Sequence, residues 1–69
     1  MRYVMIIEKG EMNYSAYQPD LPGCVATGRT VEEVKERMGK AIDLHLRGMR
    51  EDGLPVPEPT SLAEYVEAA

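Results

Sequence analysis

The sequence has little of what catalysis, secretion or membrane insertion requires. It holds one cysteine, one histidine and no apolar run long enough to span a bilayer, and no basic residue follows Arg50. The lone Cys24 excludes an internal disulfide framework and suits a reducing compartment, so a cytoplasmic protein is expected. The apolar start, Met1 to Ile7, is interrupted by Glu8 and Lys9 before it could form a signal-peptide core. With 69 residues the chain is expected to be one domain, 1–69, without a separate DNA-binding domain. A domain this small buries only about 60% of the surface its unfolded chain exposes.

Twelve acidic side chains against eight basic ones give a net charge of -4, which argues against long-range attraction to nucleic acid and for a basic partner. The acidity is concentrated in residues 51–69, where Glu51, Asp52, Glu58, Glu64 and Glu67 meet no basic residue. Such a run is either a solvated surface or a docking surface for a cationic protein.

Residues 2–8 read as a strand, with Tyr3, Met5 and Ile7 on one face and Val4 and Ile6 on the other. Gly10 to Asn13 supplies a hairpin connection to a second strand over 14–18. Pro19-Asp20-Leu21-Pro22-Gly23 then forms a turn or bulge, because its prolines cannot donate to a ladder and its glycine accepts positive φ. A third, short strand covers 24–27.

Thr30 opens the one strong helix, and Glu33 three residues later completes a Thr-x-x-Glu capping box. Gly53 and Pro55 end the helix, placing it over Val31 to Glu51. Val31, Val34, Met38, Ala41, Ile42, His45 and Met49 share one stripe, the expected core face. Pro55, Pro57 and Pro59 alternate in an extended connector. Leu62 to Glu67 is short enough for a strand or one helical turn, and the strand is favoured.

The expected architecture is therefore α+β, in the order β-β-β-α-β: an antiparallel meander, one helix across one sheet face, and a final strand. One helix covers one face only. Since the first strand is apolar on both, the second face calls for a second copy, another protein, or an exposed patch.

Catalysis finds no support. His45 lies within the apolar stripe, Cys24 reads as a small buried hydrophobe, and Gly23 and Gly28 read as turn and strand-end glycines lacking the remainder of a phosphate loop. Magnesium-dependent hydrolysis would need carboxylates to converge from Glu8, from Glu33 or Glu36, and from Glu64 or Glu67. Glu33 and Glu36 fall away from the core stripe and point to water. No catalytic, metal or cofactor residue is therefore assigned. Lys35, Arg37, Lys40, Arg47 and Arg50 share their helix with five acids, so direct nucleic-acid binding is not expected.

The run Tyr14-Ser15-Ala16-Tyr17-Gln18-Pro19-Asp20-Leu21-Pro22-Gly23-Cys24-Val25-Ala26-Thr27-Gly28-Arg29-Thr30, continuing through Val31-Glu32-Glu33-Val34 and Ala41-Ile42-Asp43-Leu44-His45-Leu46, closely resembles the HicB antitoxin family. Asp52-Gly53-Leu54-Pro55-Val56-Pro57-Glu58-Pro59 resembles that family's helix exit, so the likeness covers about residues 3 to 67. The resemblance implies a partial ribonuclease-H-like fold without catalytic residues. It also implies a partner: HicA-like toxins, small basic ribonucleases that cleave messenger RNA and are neutralised when the antitoxin covers their active site. Asp20, Glu58, Glu64, Tyr65 and Glu67 are the expected partner-binding residues. Two functions are carried forward, an antitoxin of a type II toxin-antitoxin system and a solitary HicB-like homo-oligomer, dimer or tetramer, with another partner.

Overall fold

The structure, a computed structural model, describes residues 1–69. Its elements in chain order are β1 (Ile6–Lys9), β2 (Tyr14–Tyr17), β3 (Val25–Gly28) and α1 (Val31–Glu51). The strands form one antiparallel sheet in the order β1-β2-β3. Ile6, Tyr17 and Val25 lie opposite one another across it, as do Ile7, Ala16 and Ala26, then Glu8, Ser15 and Thr27, then Lys9, Tyr14 and Gly28. The α+β class and the meander agree with the sequence reading.

Strand boundaries shift for identifiable reasons. The first strand was expected over 2–8, but only Ile6–Lys9 pairs. β2 has no amide to offer at Pro19, and the chain turns from Gln18 onward, with the Leu21 N–H donating to the Gln18 carbonyl (3.1 Å). Residues 2–5 are thus left without a neighbouring strand. The third strand begins one residue late because the Cys24 N–H closes the turn on the Leu21 carbonyl at 3.1 Å.

α1 has the expected limits. The Glu33 N–H donates to Thr30 Oγ1 at 3.0 Å, and Glu33 Oε1 accepts from the Arg29 amide at 3.1 Å, one residue earlier than a regular capping box would take. At the other end Gly53 has φ +70°, and the N–H groups of Gly53 and Leu54 donate to the carbonyls of Arg50 (3.1 Å) and Met49 (2.8 Å). This is a Schellman closure, which needs the left-handed conformation that glycine adopts without strain.

α1 packs on β2 and β3. Its fully buried side chains are Val34, Met38 and Leu46, set against Ala16, Leu21 and Cys24. The expected stripe is corrected at both ends. Val31 is exposed, and Leu46 replaces His45, which is half-buried. The buried row follows i, i+4 spacing through Val34, Met38, Ile42 and Leu46, so it passes beside His45. The helix approaches the sheet most closely at Gly28, where a Cβ would lie 2.8 Å from the Val34 nitrogen.

The expected final strand over Leu62–Glu67 does not form; residues 54–69 have no regular secondary structure. A strand needs a hydrogen-bonding neighbour. This segment is fastened at Thr60 and Ser61 to Asp20, and from Leu62 onward every residue is exposed. The molecule is consequently thin and open, 46 × 27 × 16 Å, with an accessible surface of 5629 Å². A folded monomer of this mass exposes about 4300 Å².

Candidate functional site

Alternation along the strands sorts the sheet into two unlike faces. Ile7, Tyr14, Ala16, Ala26 and Gly28 lie on the helix side and meet the core. Ile6, Tyr17 and Val25 form a row straight across the other side, where Tyr17 is 41% and Val25 63% exposed. Glu8, Ser15 and Thr27 form the neighbouring polar row. The sequence pattern of β1 signalled a second apolar face. It did not single out Tyr17 and Val25 as its exposed members, because only the register places them opposite Ile6.

Asp20 is at the centre of the second feature. Its carboxylate accepts from the amide (3.2 Å) and hydroxyl (2.9 Å) of Thr60, and from the amide (3.2 Å) and hydroxyl (3.0 Å) of Ser61. Beside it, Gln18 is 2% exposed; its Nε2 donates to the Val4 carbonyl (3.0 Å) and its Oε1 accepts from the Asp20 amide (2.6 Å). The strand 1 approach, the β2–β3 turn and the C-terminal segment are thus joined through two side chains. Partial burial raises the Asp20 pKa, but the Ser61 amide, the Thr60 and Ser61 hydroxyls and Gln18 together outweigh it. The net result is a carboxyl below its ordinary value. Tyr3 adds a further tie, donating from its hydroxyl to the Pro57 carbonyl.

The expected partner-binding residues are therefore not equivalent. Asp20 is engaged by the chain's own tail. Glu58, Glu64, Tyr65 and Glu67 are exposed, and neither Glu58, Glu64 nor Glu67 takes part in a salt bridge. Tyr65 is fully exposed, between Leu62 at 89% and Val66 at 88%. Tail and open sheet face are both apolar with acidic neighbours. An open cleft of about 310 Å³ separates Arg2–Val4 from Ser61–Ala63.

The carboxylates considered for magnesium do not meet. Glu33 is held by Arg29 and by Arg37 at 3.2 Å, Glu36 pairs with Lys40 at 3.2 Å, and no three acidic, histidine or cysteine side chains converge on one point. Cys24 is 4% exposed, and burial pushes its thiol pKa up, away from the reactive thiolate. No helix is long and apolar enough to cross a membrane.

A helix-backed meander with an open apolar face and a free acidic tail is built as a small binding domain. The chain belongs to the HicB-like antitoxin family of bacterial toxin-antitoxin systems, whose profile matches residues 3–69. An uncharacterized 14.9 kDa protein of Haemophilus phage HP1, from the rep-hol intergenic region, is 35% identical over 96% of this chain, which spans 50% of the phage protein's length. UPF0150 proteins of Helicobacter pylori and Archaeoglobus fulgidus are 41% and 38% identical, over 71% and 77% of this chain and 68% and 81% of their own. A chain of the solved HicA3 and HicB3 toxin-antitoxin complex superposes with a TM-score of 0.72 at 27% identity, covering 86% of this chain and 70% of that one.

Proposed function

We propose that this domain is a cytoplasmic antitoxin module that binds and blocks a small basic HicA-like ribonuclease without doing chemistry of its own. The observation that carries the reading is the exposed tail. Tyr65 and Val66 offer apolar contact between Glu64 and Glu67, with exposed Leu62 just before them, on a segment with no cation to neutralise it. Aromatic anchors flanked by unpaired charge suit a partner of opposite sign, with charge accelerating encounter and the aromatic ring supplying affinity. Glu58, Glu64, Tyr65 and Glu67 make the contact. Asp20 positions the tail from behind. Family membership and the likeness to a chain of the HicA3 and HicB3 complex support this partner, and the β-β-β-α order is compatible with a partial ribonuclease-H-like fold.

The test is co-expression with a HicA-like toxin encoded beside this gene. Complex formation, rescue of growth and loss of both in E64K/E67K are expected; no complex and no rescue would overturn the reading.

A second reading, a HicB-like homo-oligomer, is favoured by the surface excess. The chain exposes roughly 1300 Å² more than a compact monomer of its mass, and one side of an ordinary interface takes about 800 Å².

A further inference from the structure

We infer that two copies of this chain join antiparallel through the outer edge of the first strand, about a dyad at Met5. The inference deepens the homo-oligomer reading and takes from it only the presence of a second copy. β1 is an edge strand, and the residues leading into it, Arg2 to Met5, belong to no strand and have none beside them.

The direction of the free backbone groups follows from two bonds. The Gly10 N–H donates to Asn13, and the Val4 carbonyl accepts from Gln18, so even-numbered residues turn their backbone groups toward β2. Alternation then turns the N–H and C=O groups of Tyr3, Met5 and Ile7 to the open edge. An antiparallel copy centred on Met5 makes Met5 face Met5 and Tyr3 face Ile7, which are the hydrogen-bonding positions of that edge. No proline guards it, and no charge lies between Arg2 and Glu8.

Charge fixes the register. On the face away from the helix, Arg2 of one copy falls opposite Glu8 of the other, twice per dimer, while Val4 falls opposite Ile6. Arg2 and Glu8 are both exposed and neither forms a salt bridge within the chain. A one-residue slip would turn the apolar set to the wrong side. The pairing brings the two Ile6-Tyr17-Val25 rows into one six-stranded face. The competing occupant of this edge is the chain's own Leu62–Glu67 as a parallel strand, since Ser61–Ala63 already flank Arg2–Val4 across the cleft.

Sedimentation equilibrium of the full chain at low salt tests the pairing. A reversible dimer is expected, and R2E or E8R alone, each setting like charges opposite, weakens it about tenfold. The double variant R2E/E8R restores it. Both side chains lie outside the core, so the thermal melt of each variant reports an intact fold. A monomer throughout the micromolar range overturns both the pairing and the homo-oligomer reading. A dimer indifferent to the single reversals, or a double variant as weak as the singles, leaves that reading standing and overturns the Met5 register.

Discussion

Asp20 and Ser61, 41 residues apart, are joined twice, the serine giving both its amide (3.2 Å) and its hydroxyl (3.0 Å) to one carboxylate. Thr60 does the same, so four donors converge on a single side chain. This clasp decides where the acidic tail leaves the domain. Asp20→Ala is expected to release Thr60 to Ala69 while leaving α1 and the sheet intact. Amide exchange at Thr60 and Ser61 then rises at least tenfold, and the melting temperature falls by a few degrees. Unchanged exchange at both amides would contradict the clasp.

The same carboxylate gives the clasp a pH dependence with a definite sign. Burial pushes the Asp20 carboxyl up, but the hydrogen bonds from Ser61, Thr60 and Gln18 outweigh it and hold the carboxyl below its ordinary value, so the folded state prefers the ionised form. The stabilisation is complete above the unfolded value and is lost as pH falls through the lower, folded one. Tail release is therefore expected only as the pH falls below the ordinary carboxylate range, seen as faster proteolysis after Thr60. In Asp20→Asn the acid step should vanish, and its persistence would assign the transition to another group.

Gly28 and the two helix glycines make opposite predictions. A Cβ at Gly28 would lie 2.8 Å and 3.1 Å from the backbone nitrogen and Cα of Val34, atoms that move only with the helix itself. Gly28→Ala is thus expected to cost about 1–3 kcal/mol, as overpacking does. Gly39 and Gly48 have nothing within 4 Å of the equivalent position, and each replacement by alanine should stabilise the helix by up to about 1 kcal/mol. Urea midpoints check the contrast, and a neutral Gly28→Ala would refute the close approach.

How far the sequence could be read depended on whether the relevant forces were local. The helix limits were legible because Thr30, Glu33 and Gly53 act within one turn of themselves. The meander was legible because its turns carry their own glycine, proline and asparagine signals. The expected last strand rested on the strand propensity of Tyr65 and Val66, but propensity supplies no hydrogen-bonding neighbour, and the tail, tied to Asp20, stays separated from residues 2–4 by an open cleft. Asp20 itself was legible as polar and turn-bound, but its partners lie 40 and 41 residues away and no local pattern encodes them. Of the candidate site, the acidic tail could be read from composition. The row Ile6-Tyr17-Val25 required the register.

Cys24 is expected to behave as a core residue rather than a redox group. It is 4% exposed within the Leu21 and Met38 cluster, and burial raises its thiol pKa above the ordinary thiol value. A thiol reagent should therefore label it only at the rate of protein opening, and at once in denaturant. Because the folded pKa is the higher one, stability is full below the ordinary thiol range and declines as pH rises through the folded value. Immediate labelling of the native protein would place the thiol at the surface.

The two apolar populations of the sheet should separate stability from binding. Met38 is fully buried, and Met38→Ala is expected to cost about 2–5 kcal/mol, a large share of what so small a domain possesses. Tyr17 and Val25 face away from the helix and remain 41% and 63% exposed, so the double variant Tyr17→Ser/Val25→Ser should change the free energy of unfolding by less than about 1 kcal/mol. If the open face is an association surface, that variant loses affinity for the partner seated on it by tenfold or more, since each side chain removes apolar area from the contact. The measurements are urea unfolding of the dilute protein and sedimentation or titration of the complex. Full binding in the double variant would exclude the open face as a contact; a collapse in dilute stability would show that the face is covered within a single chain.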